Sequence, residues 1–85
     1  MNAELLKLET RQDAEYPQED KYPSGEVICV GEVVKEPEVG FPVYMIKQDR
    51  PGGFKTSTVV EIEEDTEEYT QFKTRNSRYR LIWKD

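Results

Sequence analysis

Polar and apolar positions alternate most regularly over Tyr69 to Asp85, YTQFKTRNSRYRLIWKD. Asn76-Ser77 reads there as a two-residue loop, because such loops ask for positive backbone angles and Asn tolerates them better than other side chains with a Cβ. That placement predicts a β-hairpin with Thr74 opposite Tyr79 and Phe72 opposite Leu81. Side chains alternate across a strand, so Phe72, Thr74, Tyr79, Leu81 and Trp83 share one face, which is expected to meet the core. The other face carries Lys73, Arg75, Arg78 and Arg80.

Upstream, Lys55 to Glu63 alternates as a long strand, with Thr56, Thr58, Val60 and Ile62 on one face and Ser57, Val59, Glu61 and Glu63 on the other. Val60 and Ile62 are expected beside the core. Phe41-Pro42 opens another strand, since proline is tolerated at a strand's first residue or edge. In it Tyr44 and Ile46 face one way, Val43 and Met45 the other. Asp49-Arg50-Pro51-Gly52-Gly53 is a turn. Val27 to Val30, extended by Val33-Val34, is apolar on both faces, the signature of a central or doubly covered strand, and Gly31 within it suggests a bulge or bend. Residues 2–15 read as a short helix, with Asn2 as its cap, Leu5 and Leu8 at i,i+3 spacing, and an end before Tyr16-Pro17.

These spans, 26–34, 42–48, 55–63, 69–75 and 78–84, predict a mainly β fold: a small five-stranded antiparallel barrel with a short N-terminal helix or tail. An SH3-like barrel is favoured, because the last four strands form a meander; an OB-like barrel and an open sheet crossed by the helix are the alternatives. The division expected is a helix or extended tail over 1–25 and a barrel domain over 26–85. Tyr16-Pro17 and Tyr22-Pro23 read as ring anchors of an extended linker, or as a peptide ligand for an aromatic groove.

Composition narrows the chemistry. The chain has 85 residues, a net charge of −6 and a pI near 4.7, which weighs against a general affinity for nucleic acid. It has no histidine, so the commonest general base and metal ligand is missing, and its one cysteine, Cys29, lies in an apolar run as a small core residue. No apolar run approaches the ~18–20 residues of a membrane span, and a lone cysteine suits a reducing compartment, so a cytoplasmic location is expected. Gly52-Gly53 lacks the following helix of a phosphate loop, and Glu64-Asp65-Thr66-Glu67-Glu68 lacks the central glycine of a calcium loop. No cofactor, metal or catalytic set is expected.

Two candidate surfaces remain. Glu63, Glu64, Asp65, Glu67 and Glu68 form an acidic stretch suited to a protein partner. Lys73, Arg75, Arg78 and Arg80 form either an anion site or one side of an ion-pair ladder with Glu61 and Glu63; the ladder is expected, because the counter-charge is local. The string Phe72-x-Thr74-x-Asn76-Ser77-x-Tyr79-x-Leu81 resembles the ending of many small, mostly uncharacterised proteins of bacteriophages and mobile elements. The resemblance covers about ten residues, and it implies an accessory protein that inhibits or modulates a host factor. The expected function is therefore a non-catalytic protein-binding module, with a nucleic-acid module on the basic hairpin face as the alternative.

Overall fold

The computed structural model describes residues 1–14 and 22–84. It contains six strands: β1 Asn2–Thr10, β2 Val27–Val33, β3 Pro42–Lys47, β4 Gly53–Asp65, β5 Tyr69–Thr74 and β6 Ser77–Trp83. Each pairs antiparallel with the next, and β6 returns to β1, so the sheet closes into a barrel in sequence order. The small antiparallel barrel is as the alternation predicts. The meander expected for the last four strands runs through all six, which separates the fold from the Greek-key order of an OB barrel, and the closure rules out an open sheet.

The N-terminal segment is a strand where a helix is expected. Leu5 and Leu8 fit a helical stripe of only two residues, too little to hold a short helix in water. As a strand, the segment gains a hydrogen-bonded ladder on each side, with β2 and with β6. Ala3, Leu5 and Lys7 then point inward and are buried. The boundary at residue 25 consequently does not divide a tail from a barrel. Tyr16-Pro17 lies outside the described residues; Tyr22 packs its ring on Phe54 at 5.2 Å between centroids.

The core takes Ala3 and Leu5 from β1, Cys29 and Val33 from β2, Val43 and Met45 from β3, Val59 from β4, Phe72 from β5, and Tyr79 and Leu81 from β6. Gly31 shows a close approach rather than the expected bulge: a Cβ there would stand 1.9 Å from the Ile46 carbonyl oxygen of β3. The irregularity in β2 falls instead where Leu5 pairs with Cys29 and Leu6 with Val27, which skips Ile28.

β4 runs thirteen residues, pairing its first half with β3 and its second with β5. Register shifts on either side, between Lys55 and Thr58 against β3 and between Val59 and Glu61 against β5, change the inward residue, so Val59 is buried and Val60, expected in the core, is 41% exposed. In the C-terminal hairpin Phe72 faces Tyr79 and Lys73 faces Arg78, so the loop is Arg75-Asn76, with Thr74 and Ser77 at its ends. No described residue other than glycine has a positive φ. The Thr74 hydroxyl closes this turn instead, accepting from the Asn76 and Ser77 amides at 3.3 and 3.1 Å and donating to the Ser77 carbonyl at 3.0 Å. A two-residue shift preserves which face each side chain occupies, so Phe72, Thr74, Tyr79 and Leu81 still point inward. Trp83 is half-buried at the margin, its indole N–H donating to the Thr70 hydroxyl at 3.1 Å.

These placements set a clear ranking. Deleting residues 1–10 removes a strand paired on both sides and is expected to abolish the dispersed amide NMR spectrum. Leu5→Ala should cost about 2–5 kcal/mol in urea unfolding, whereas Val60→Ala should stay within about 0.5 kcal/mol of the parent.

Candidate functional site

Two of the four cations of the last hairpin, Arg78 and Lys73, are held by acids on its flanks. Arg78 donates from Nε and Nη2 to the two oxygens of Glu63 on β4, at 3.0 and 3.1 Å, and from Nη1 to Glu9 on β1 at 3.0 Å. Lys73 pairs with Glu61 at 3.2 Å. Arg80 donates to Gln71 Oε1 at 3.1 and 2.6 Å and lies over the Tyr69 ring, 4.2 Å from its centroid. Arg75 is exposed in the turn. The ladder is thus present where alternation puts it, with Glu9 as a partner that only a strand at β1 makes available.

Burial works against the charge of Glu63, but the hydrogen bonds from Arg78 and Gln71 outweigh it and hold the carboxyl below the usual carboxylate range. Donating to the Glu63 and Glu9 carboxylates raises Arg78 above the ordinary guanidinium value. The rest of the acidic stretch is partly committed too. Glu64 accepts from the Tyr69 phenol, which raises that phenol's pKa, and Asp65 accepts from Thr70 at 3.0 Å. Thr66 organises the following turn through its hydroxyl, which accepts from the Glu68 and Tyr69 amides. Of the five acidic candidates only Glu63 is partly covered; Glu64, Asp65, Glu67 and Glu68 are exposed, the last two on this turn.

A second surface lies across the outside of β2, β3 and β4. Glu32 pairs with Ile46 and Ile46 with Gly53; in the next outward row, Val34 donates its amide to the Tyr44 carbonyl and Tyr44 pairs with Lys55. Val34, Tyr44 and Ile46 are 61%, 47% and 54% exposed, an unusual state for three neighbouring apolar or aromatic side chains. Where Gly53 stands beside Ile46 no side chain fills the surface, and a hollow of about 380 Å³ opens between Val34, Tyr44, Ile46 and Lys55. The Lys55 ammonium sits 5.6 Å from the Tyr44 ring, and Lys35 stands 4.6 Å from the exposed ring of Phe41. The signal for this surface was in the sequence, as strands apolar on both faces; a second covering layer is what the barrel does not provide.

Inside the barrel, Cys29 is buried and its thiol is pushed up by that burial, against the smaller opposing fields of Lys47 and Arg50. Lys7 is fully buried, and its ammonium donates to the Tyr22 carbonyl. Among the described residues no group of three or more acidic, histidine or cysteine side chains is arranged to hold a metal ion. No protein-family model, no curated protein and no solved structure matches the chain.

The Glu63–Arg78 contact has a measurable pH signature. A carboxyl depressed in the folded state stabilises it above the unfolded pKa of about 4.3, and the benefit disappears as pH falls through the lower folded value. Glu63→Gln should therefore cost about 1 kcal/mol at neutral pH, after allowance for partial exposure. Denaturant titrations should show that difference shrinking below about pH 4.

Proposed function

We propose that this protein is a non-catalytic protein-binding module that engages its partner through the outer face of β2, β3 and β4. The observation that carries the reading is that β2 and β3 are apolar on both sides while the barrel covers only one. Cys29, Val33, Val43 and Met45 fill the inner side, and Val34, Tyr44 and Ile46 stand exposed on the outer. Leaving such side chains partly in water forgoes roughly 1 kcal/mol for each one that a partner would bury, since each is already about half covered. The exposed, acidic Glu67-Glu68 turn follows the far end of β4 from Gly53 and does not line the hollow on this surface. An accessory role of the phage type, acting on a host factor in a reducing compartment, suits a small acidic domain with one buried cysteine.

The basic hairpin face supports a nucleic-acid reading less well, because Lys73 and Arg78 are in ion pairs. One observation does favour it at a different place: two exposed rings with lysines nearby, Tyr44 with Lys55 and Phe41 with Lys35, have the elements of a single-strand stacking platform. Net charge −6 opposes it.

Hydroxyl-radical footprinting tests the two readings together. Tyr44 and Ile46 should be labelled readily in dilute purified protein and protected when protein partners are supplied, either in cell extract or by raising the concentration of the chain itself. Single- and double-stranded DNA should produce no protection and no change in fluorescence anisotropy at physiological salt. Unchanged labelling of Tyr44 under every protein condition would overturn the reading, and micromolar DNA binding that Arg78→Ala or Lys55→Ala weakens would replace it.

A further inference from the structure

We infer that the occupant of the β2–β3–β4 face is a second copy of this chain, related by a two-fold axis that runs along the strands between β3 and β4. The inference rests on the reading of that face as a protein-binding surface and names its partner.

A two-fold interface must be complementary to itself, each group meeting its own counterpart's partner. The face has that property in its charges. Glu32 lies on the β2 side and Lys55 on the β4 side, both exposed, with the apolar strip between them. Most other cations among the described residues are paired internally, as in Lys35–Glu38, Lys73–Glu61, Arg78–Glu63 and Lys84–Glu4. Among the described residues neither Glu32 nor Lys55 has an ion-pair partner.

The register chooses the axis. Ile46 stands opposite Gly53, and Tyr44 opposite Lys55, across the β3–β4 ladder. A two-fold lying in the interface between these strands exchanges the members of each pair between the copies. It seats each Ile46 over the hollow at the other copy's Gly53 and lays each Tyr44 ring against the other copy's Lys55. Glu32 then falls one strand beyond the partner's Lys55 and two residues along, an in-plane offset of roughly 8 Å that the two flexible side chains span. A two-fold perpendicular to the strands fails on charge, since it sets Glu32 over Glu32 and Lys55 over Lys55. The chosen axis also keeps the two sets of strands nearly aligned, as packed sheets prefer.

Sedimentation equilibrium on the purified chain, with charge-swapped variants, decides the matter. The native protein should associate as a dimer, and Ile46→Asp should be monomeric with an unchanged circular-dichroism spectrum. Glu32→Lys and Lys55→Glu should each raise the dimer dissociation constant about tenfold or more by facing like charges. The double variant E32K/K55E, which restores opposite charges across the axis, should recover most of that loss. A native protein that is monomeric at every concentration, or a double variant no tighter than either single one, overturns the inference. If the chain is monomeric while Tyr44 is protected in cell extract, self-association alone fails; if Tyr44 stays accessible throughout, the binding face fails with it.

Discussion

The pairing of β1 with β6 is the contact on which the rest of the barrel depends. Its ladder runs from Ala3 opposite Trp83 to Thr10 opposite Ser77, and backbone bonds extend it at both ends, Lys84 to Asn2 and Arg11 to Asn76. Without it β1 and β6 would each present an open edge, the state that invites pairing with other chains. The seam also brings Ala3, Leu5 and Lys7 against the layer that includes Tyr79 and Leu81. Side chains reinforce it from outside: Glu9 reaches Arg78 and Glu4 reaches Lys84 across the join.

The parts of this fold that sequence conveys are those governed by a period of two. Phe72, Thr74, Tyr79 and Leu81 are inward whether the hairpin turns at Asn76-Ser77 or at Arg75-Asn76, because both registers keep the same parity. The turn itself depends on a side-chain oxygen, Thr74 Oγ1, taking two amides, which a rule about backbone angles does not anticipate. Val59 and Val60 are adjacent and alike, so nothing local says which is inside; the register shifts beside them decide it. β1 was hidden for a different reason, since the pairing that stabilises it comes from the far end of the chain. Glu61 and Glu63 were legible as the cations' counter-charge, while Glu9 was not, because it reaches Arg78 only once β1 is a strand.

Charge and apolar surface are divided between two sides of the molecule. The β4–β5–β6 side carries most of its cations in contacts made within the chain, so it offers little field to an outside anion. The β2–β3–β4 side has the reverse character, with few internal polar contacts, exposed Val34, Tyr44 and Ile46, and a lysine and a glutamate set apart on opposite flanks. Tight local pairing at one side and an exposed apolar strip at the other give the barrel two faces of opposite character, and it is this contrast that supports the proposed binding face.

The seam has a consequence in time. Every other pairing joins strands that are neighbours along the chain and can form as the hairpins fold, but β1 and β6 lie about 70–80 residues apart. Bringing such distant segments together costs about 4 kcal/mol of chain entropy before any contact repays it. Ring closure is therefore expected to come last in folding, leaving an interval in which the sheet is built but not joined. During that interval the open edges and the Tyr44–Ile46 surface are accessible together, so crowded refolding favours association between incomplete rings over closure of each one.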